Sequence, residues 1–416
     1  MGSSTQDMEI TSVSSYSQLA FPTILEIYQK IYIAMQVSGS SCFILKKHPK
    51  DTLQSSPMDS IPQLGYATNS RFLFVYYGTK LVSVFHLIFF IIRFFNLISC
   101  DTKFCEDKGV LLLAITTYIW GLVMVLGIYA LCHLKRAQIC DFFGKLNQLD
   151  QFIFNEDMMG RQKYIQKHWV VYNRVKIYIP IMIFVSVVLI GMNHANHPRF
   201  LAHITSLALT EEGDTFFMNW KTTCVTIFSF ALEFLMVIYL YLALYQYLFM
   251  AIVVARCFNW CLQALTQHSA KLFLEQDSQA RVKTVETVVA KFEHIRGLLN
   301  EYNGIFSGLL LFCKGMLLIE ITIMAYIPLK RMYILPFSSI LIFFALASHY
   351  GTQVVILLFE MGRVVKASKQ LPEFWMRNLL GSSQPIGFDK NETLAKLKML
   401  LDTCTPFGFE GVGSGF

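Results

Sequence analysis

Apolar residues stand in long, nearly unbroken blocks along this chain, and that limits what it can fold into more than any motif does. Six blocks approach or exceed the roughly 20 apolar residues needed to cross ~30 Å of hydrocarbon: residues 72–98, 110–132, 177–192, 216–255, 302–328 and 335–361. In hydrocarbon the backbone must satisfy its own hydrogen bonds, so such blocks are read as helices. The expected fold class is an all-α polytopic membrane protein with six transmembrane helices. The third block is a little short. The fourth is too long for one crossing, which predicts that its helix continues out of the bilayer as a stalk.

Composition agrees: 54% of residues are apolar and 15% charged, a balance that water-soluble globules rarely show. The lipid bilayer is thus an expected partner. The net charge of +7 is modest, and the basic residues lie between the blocks rather than among aromatics on one face, so nucleic acid is not expected. Residues 2–7 are polar, with no basic n-region or short apolar core, and no cleavable signal peptide is visible. Gln6 stands where a myristoylation signal wants Ser or Thr.

Orientation follows from Lys and Arg in the connections. The segment 134–176 carries Lys135, Arg136, Lys145, Arg161, Lys163, Lys167, Arg174 and Lys176, and the connection after the fourth block is also basic, with Arg256, Lys271 and Arg281 among others. The loops after the first and third blocks are short of bases and carry Asp101, Glu106, Asp107, Glu211, Glu212 and Asp214. The basic loops and the N-terminus are therefore expected in the cytoplasm, although Lys330 and Arg331 oppose the rule. Three regions result: 1–71, a cytoplasmic N-terminal region; 72–362, a transmembrane helical domain; and 363–416, a basic cytoplasmic C-terminal segment. Residues 19–45, with Pro22, Glu26 and Lys30 among apolar residues, read as an amphipathic helix on the inner membrane surface. In 265–300, Val282, Val285, Val289, Phe292, Ile295 and Leu299 repeat at helical spacing, a long cytoplasmic helical extension into the fifth span.

The ten cysteines are scattered. Cys100 and Cys105 could form a disulfide if their loop is extracellular. Zinc at Cys257 and Cys261 would need two further ligands, and only His268 lies close in sequence. Unpaired thiols are the simpler reading. No nucleophile elbow, phosphate-binding glycine loop or His pair at metal spacing occurs, so neither an enzyme nor a cofactor is supported.

Ionisable groups in hydrocarbon cost at least ~2.5 kcal/mol each, so they usually meet a partner or a cavity. Lys80 and Arg93, toward opposite ends of the first span, are read as snorkelling to the interfaces. Glu233 and Lys314 lie at middle depth in the fourth and fifth spans, with Glu320 further outward; they form an interhelical polar clamp or touch a ligand. Thr116, Thr117, Tyr118 and Trp120, in the outer half of the second span, and Ser338, Ser339 and Phe343, in that of the sixth, supply the aromatic walls and hydroxyls that a sugar or small organic ligand needs. Aromatics there also serve as interfacial anchors. His349 reads as a hydrogen-bonded core residue.

Three local patterns resemble the insect gustatory receptor family of the arthropod chemoreceptor superfamily. Phe21, Pro22, Leu25, Ile27 and Lys30 are similar to its amphipathic N-terminal helix. Leu298, Leu299, Asn300, Tyr302, Asn303, Phe306, Leu309 and Leu310 are similar to its entry into the fifth helix. Leu397, Leu400, Leu401, Pro406, Phe407, Phe409 and Phe416 resemble the stretch before its seventh helix. The family's final-helix signature, Thr-Tyr, five apolar residues and Gln-Phe, is not found, and the similar run from Thr352 to Glu360 is assigned to the sixth helix. The seventh helix is accordingly expected to be missing. The resemblance implies a gustatory-type subunit of a tetrameric, ligand-gated, non-selective cation channel in the plasma membrane, homomeric or heteromeric with related receptors. It also implies a small-molecule tastant bound in an outer-half pocket. Thr117, Tyr118, Trp120, Glu233, Glu320, Ser339 and Phe343 are the candidate ligand contacts; a chain without the last helix would keep that pocket and lose the pore.

Two other classes compete. A G-protein-coupled receptor should have seven spans, an outward N-terminus and an Asp-Arg-Tyr at the end of its third helix, and the charge distribution argues for the opposite orientation. A secondary transporter would use Glu233, Lys314 and Glu320, but repeated halves and broken Gly/Pro-rich helices are not seen. Asn391, the one N-glycosylation acceptor found, is cytoplasmic in the six-span topology.

Overall fold

The structure, a computed structural model, describes residues 22–37, 43–46, 63–66, 70–99, 108–154, 157–196, 220–272, 278–331, 337–381 and 404–409. The described elements are α1 (Ile24–Ile27), α2 (Gln29–Val37), β1 (Phe43–Lys46), β2 (Gln63–Tyr66), α3 (Ser70–Ser99), α4 (Lys108–Leu134), α5 (Arg136–Ile153), α6 (Met158–Asn196), α7 (Trp220–Leu272), α8 (Ser278–Arg331) and α9 (Phe337–Gly381). Apart from the antiparallel ribbon, in which Phe43 faces Tyr66, these are helices, and the all-α class holds. The described part of each apolar block lies within one of the helices α3, α4, α6, α7, α8 and α9.

The helix faces show what solvent they meet. On α3 the outward residues are Phe74, Leu81, Phe85, Ile88, Ile92 and Phe95, while the inward stripe is Tyr76, Thr79, Ser83, His86, Phe90, Arg93 and Leu97. This inverts the pattern of a helix in water, as expected where the outer solvent is hydrocarbon. On α6 the outward apolar stripe runs Val170, Ile177, Ile181, Phe184 and Val188. It begins two turns before the third block because Arg174 and Lys176 interrupt the sequence there. Among the described residues, two helical stretches are long and apolar enough by themselves to cross a membrane, Arg71–Ile98 and Val285–Lys330. Ile119–Leu134 and Arg136–Ile153 reach that length and apolarity only when taken together as one broken span, and they are bent by 80°, so α5 leaves the line of α4. Lys135, at that bend, donates to the carbonyls of Gly304 and Ile305 at 2.6 and 3.4 Å and ties the elbow to α8.

Burial is uneven along the bundle. One continuous basal core joins α1, α2, α5, the start of α6, the end of α7, the start of α8 and the end of α9. The opposite half holds a separate small cluster in which Phe90, Leu97, Ile115 and Leu122 are the fully buried members. The long α7 and α8 therefore run on past the bundle into a packed layer, as the length of the fourth block predicts.

The N-terminal segment differs from expectation. Thr23 caps α1 with Glu26 in a capping box, the helix breaks at Tyr28, and 43–46 is strand rather than helix. Ile24, Leu25, Ile27, Tyr28, Ile31 and Tyr32 are buried in the basal core, and Asn147 of α5 accepts from the Leu25 N–H at 3.3 Å. The amphipathic segment thus lays its apolar face on protein rather than on the membrane surface. Amphipathicity calls for an apolar partner without naming it.

Candidate functional site

The inward stripe of α3 carries Thr79, Ser83, His86 and Arg93, all buried. Its hydroxyls bond their own helix: Thr79 Oγ1 donates to the Val75 carbonyl at 2.8 Å and Ser83 Oγ to that of Thr79 at 2.9 Å. Lys80 Nζ stands 3.8 Å above the Tyr76 ring, and Tyr76 meets Tyr129 of α4 edge-on. Arg93 is 2% exposed, its guanidinium over the rings of Phe89 and Phe90. It therefore does not snorkel outward but is spent inside the bundle. His86, 1% exposed, has the backbones of Val82 and of Leu232 on α7 beside its ring.

Not all of the sequence-predicted contacts are described. Glu320 is buried on the inward face of α8, as a pocket or clamp residue should be. Trp120 is 40% exposed on α4, nearer to the anchor reading than to a pocket wall. The side chains of Thr117, Tyr118, Glu233, Ser339, Phe343 and His349 lie outside the described residues, and with Glu233 goes its pairing to Lys314. Thr116, their neighbour, spends its hydroxyl on the Leu112 carbonyl at 2.7 Å.

A second polar group sits in the basal core. The Tyr28 hydroxyl lies 3.1 Å from Nδ1 of His168, and Cys257 Sγ lies 3.7 Å from Nε2. The rings of Tyr164 and Trp260 enclose the imidazole at 4.7 and 4.8 Å. The thiol's partner is thus His168, 89 residues away, and not the sequence neighbour His268 considered for zinc. This histidine–cysteine contact is not a catalytic pair. Burial, then the charges of Arg256 and Lys167, hold His168 down to about 3, while burial pushes the Cys257 thiol up to about 12. A neutral imidazole beside a neutral thiol lacks the thiolate that nucleophilic chemistry needs. Among the described residues, no group of three or more His, Cys, Asp or Glu could hold a metal ion.

Two of the motifs that sequence reading kept apart meet in the same core. Phe409 packs against Phe258 of α7 and edge-on against Tyr302 of α8; Phe407 packs on Phe292. Asn303 Nδ2 donates to the Gly408 carbonyl at 3.1 Å. On α9, Ser368 Oγ accepts from the Phe407 N–H at 3.2 Å and lies 2.9 Å from its carbonyl. Residues 404–409 thus fill a socket built by three helices and bind α7, α8 and α9 together.

Comparison with known proteins agrees with this architecture. The sequence profile of the family described as 7tm Chemosensory receptor matches residues 61–374. No curated protein sequence matches the chain. Among solved structures, the chain is similar to the insect olfactory receptor OR5 from Machilis hrabei, at 12% identity and a TM-score of 0.61, with 92% of this chain and 91% of that one covered. At such identity the likeness shows the fold alone.

Proposed function

The chain belongs to the 7tm chemosensory receptor family, and from that premise we propose that it is a gustatory-type receptor, a subunit of a ligand-gated, non-selective cation channel. It is a membrane chemoreceptor and not an enzyme. In the proposed arrangement six helices cross the plasma membrane, the N-terminus and basal core lie in the cytoplasm, and four subunits assemble, of one kind or with related receptors. Region 72–362 is then the transmembrane domain between cytoplasmic segments 1–71 and 363–416. A small organic tastant enters the outer half of the bundle, where Thr117, Tyr118, Trp120, Glu233, Glu320, Ser339 and Phe343 supply contacts. Its binding favours the conducting state.

One observation carries this reading: α3 turns polar residues inward and large apolar ones outward above a continuous packed base. That is the division expected of a protein that takes a ligand within the membrane and holds its helices together below it. Membrane currents recorded from insect cells that express the chain together with a related receptor, or the chain with a related receptor's final helix appended, test the function against a panel of sugars and small organic tastants. Cation current evoked by a member of the panel supports it; silence in both settings overturns it. Orientation is read separately, since glycosidase should leave the mobility unchanged when Asn391 is cytoplasmic, and a glycan there would reverse the topology.

A further inference from the structure

Helix α6 carries positive charge on the face that looks away from the bundle. Over its 39 residues it holds no Asp or Glu. Lys163, Lys167 and Arg174 are exposed, and with Val170 between them they recur at four- and three-residue spacing, so they lie along one side of the helix. The same spacing continued gives Ile177, Ile181, Phe184 and Val188, exposed by 63, 52, 69 and 42%. One outward stripe is thus cationic over its first half and apolar over its second. Other cations of the basal layer are spent within it: Arg161 pairs with Asp150, Arg256 with Glu360, Lys145 with Asp141 and Glu301, and Arg296 with Glu293. Among the described residues Lys163 and Arg174 form no ion pair, and the Lys167 ammonium lies 5.4 Å from the centre of the Trp260 ring.

We propose that this stripe is a docking site for an anionic glycerophospholipid of the inner leaflet, with the phosphate on Arg174 and the two lysines and an acyl chain along Ile177 to Val188. The choice of leaflet rests on the topology proposed above; the site itself rests on α6 alone. Helical side chains lean toward the N-terminus, so Arg174 reaches back toward Lys167, and a guanidinium can hold two phosphate oxygens at once. Lys163 and Lys167, one turn apart, add compact charges on flexible stems. Arg174 and Val188 are roughly 21 Å apart along the axis at 1.5 Å per residue, and one leaflet supplies about half of the ~30 Å hydrocarbon core. The apolar half of the stripe is therefore long enough for a chain whose headgroup sits at Arg174. That continuity selects a lipid over a soluble phosphate, which has no use for four exposed apolar side chains directly above its site. Charge complementarity selects the headgroup. A zwitterionic lipid brings its own cation to a stripe without a carboxylate, whereas a net negative one is only attracted. Tyr178, one turn above Arg174 and 38% exposed, stands where aromatic rings flank headgroups.

The test uses the purified full chain in an uncharged detergent and follows thermal unfolding by tryptophan fluorescence. The probes are dioleoyl phosphatidylserine, dioleoyl phosphatidylcholine and glycerophosphoserine, the last being the anionic headgroup without its chains. The wild type should melt higher with phosphatidylserine than with phosphatidylcholine, by about 2 °C or more, and glycerophosphoserine should leave it unmoved. Lys163→Gln/Arg174→Gln, which alters two exposed side chains, should match the wild type in phosphatidylcholine and lose the gain with phosphatidylserine. Lys163→Arg/Arg174→Lys should keep the gain. So should Lys283→Gln/Lys369→Gln, which takes the same charge from exposed positions on α8 and α9. A wild type that treats the two lipids alike overturns the proposal, as does a gain that survives Lys163→Gln/Arg174→Gln. Equal loss in Lys283→Gln/Lys369→Gln would reduce the effect to net charge, and an equal gain from glycerophosphoserine would reduce it to an anion site; either overturns it. The readout needs neither current nor orientation, so a chain that prefers phosphatidylserine yet stays silent refutes the receptor reading and not this one.

Discussion

At position 408 an added methyl carbon would lie 2.5 Å from Val365 Cγ2 and 3.7 Å from its Cβ. Valine is stiff at χ1 and cannot swing aside as a long side chain would. Gly408→Ala should therefore cost about 1–3 kcal/mol through overpacking, and Val365→Ala in the same chain should restore most of it; denaturant midpoints of the single and double variants measure both. If Gly408→Ala were neutral, the close approach of the tail to α9 would be wrong. His168 makes a prediction of the opposite kind, since its importance lies in staying uncharged. Its ordinary pKa is 6.5 and its folded value about 3. Between these the unfolded chain binds the extra proton, so stability falls as pH drops through the window, by at most about 1.4 kcal/mol per pH unit, and levels off below it. Asp150, whose carboxyl burial raises above its usual range, works in the other sense. The expected result is thus a difference: His168→Gln should lose less stability than the wild type between pH 7 and pH 4, measured by thermal melts, and equal slopes would contradict it.

Helices α7 and α9 are fastened where they enter the basal core. Arg256 donates to Glu360 Oε1 through Nε at 2.9 Å and Nη2 at 2.8 Å, with the carboxylate 5% exposed. Removing Arg256 leaves the buried carboxylate with only the longer contact to Arg363 Nη1 at 3.6 Å. Arg256→Met should then cost about 3–5 kcal/mol, and adding Glu360→Gln should recover part of it; a double variant no more stable than the single would show that the pair does not act as a clamp. These elements were largely legible in the sequence, because hydrocarbon thickness fixes the length of an apolar block and every described block is helical. The beginning of α6 was less so, since Arg174 and Lys176 lower the hydropathy of any window across them although the helix and its outward apolar residues Val170, Ile177 and Ile181 run on through that stretch. The stripe on α3 was also hidden: Thr79, Ser83 and His86 are scattered along an apolar block and align only when wound at helical spacing. The His168–Cys257 contact and the meeting of Asn303 with Gly408 were beyond reach, because they join residues 89 and 105 positions apart, and one chain carries no record of which distant residues touch.

The molecule as a whole divides into a densely packed base and a sparsely packed half opposite, and residues 404–409 belong wholly to the first. Phe409 is buried between the rings of Phe258 and Tyr302, and Phe407 is partly buried against Phe292, so truncation of Phe409 should cost the ~3–5 kcal/mol typical of a buried Phe→Ala change and that of Phe407 less. If the base is one cooperative unit, that loss cannot stay within the tail. In a Phe407→Ala/Phe409→Ala chain, amide exchange should quicken together at the end of α7, the start of α8 and the end of α9, since the socket is built from all three. The α3–α4 contact around Phe90, Leu97, Ile115 and Leu122 is a separate cluster and should keep its wild-type protection. Exchange that rose as much around Phe90 as around Phe292 would mean that the two halves unfold as one. Exchange confined to residues 404–409 would mean that the tail merely rests in a socket formed without it. Only the intermediate pattern, with three helix ends loosened and the upper cluster unchanged, fits a base held together by its own C-terminal segment.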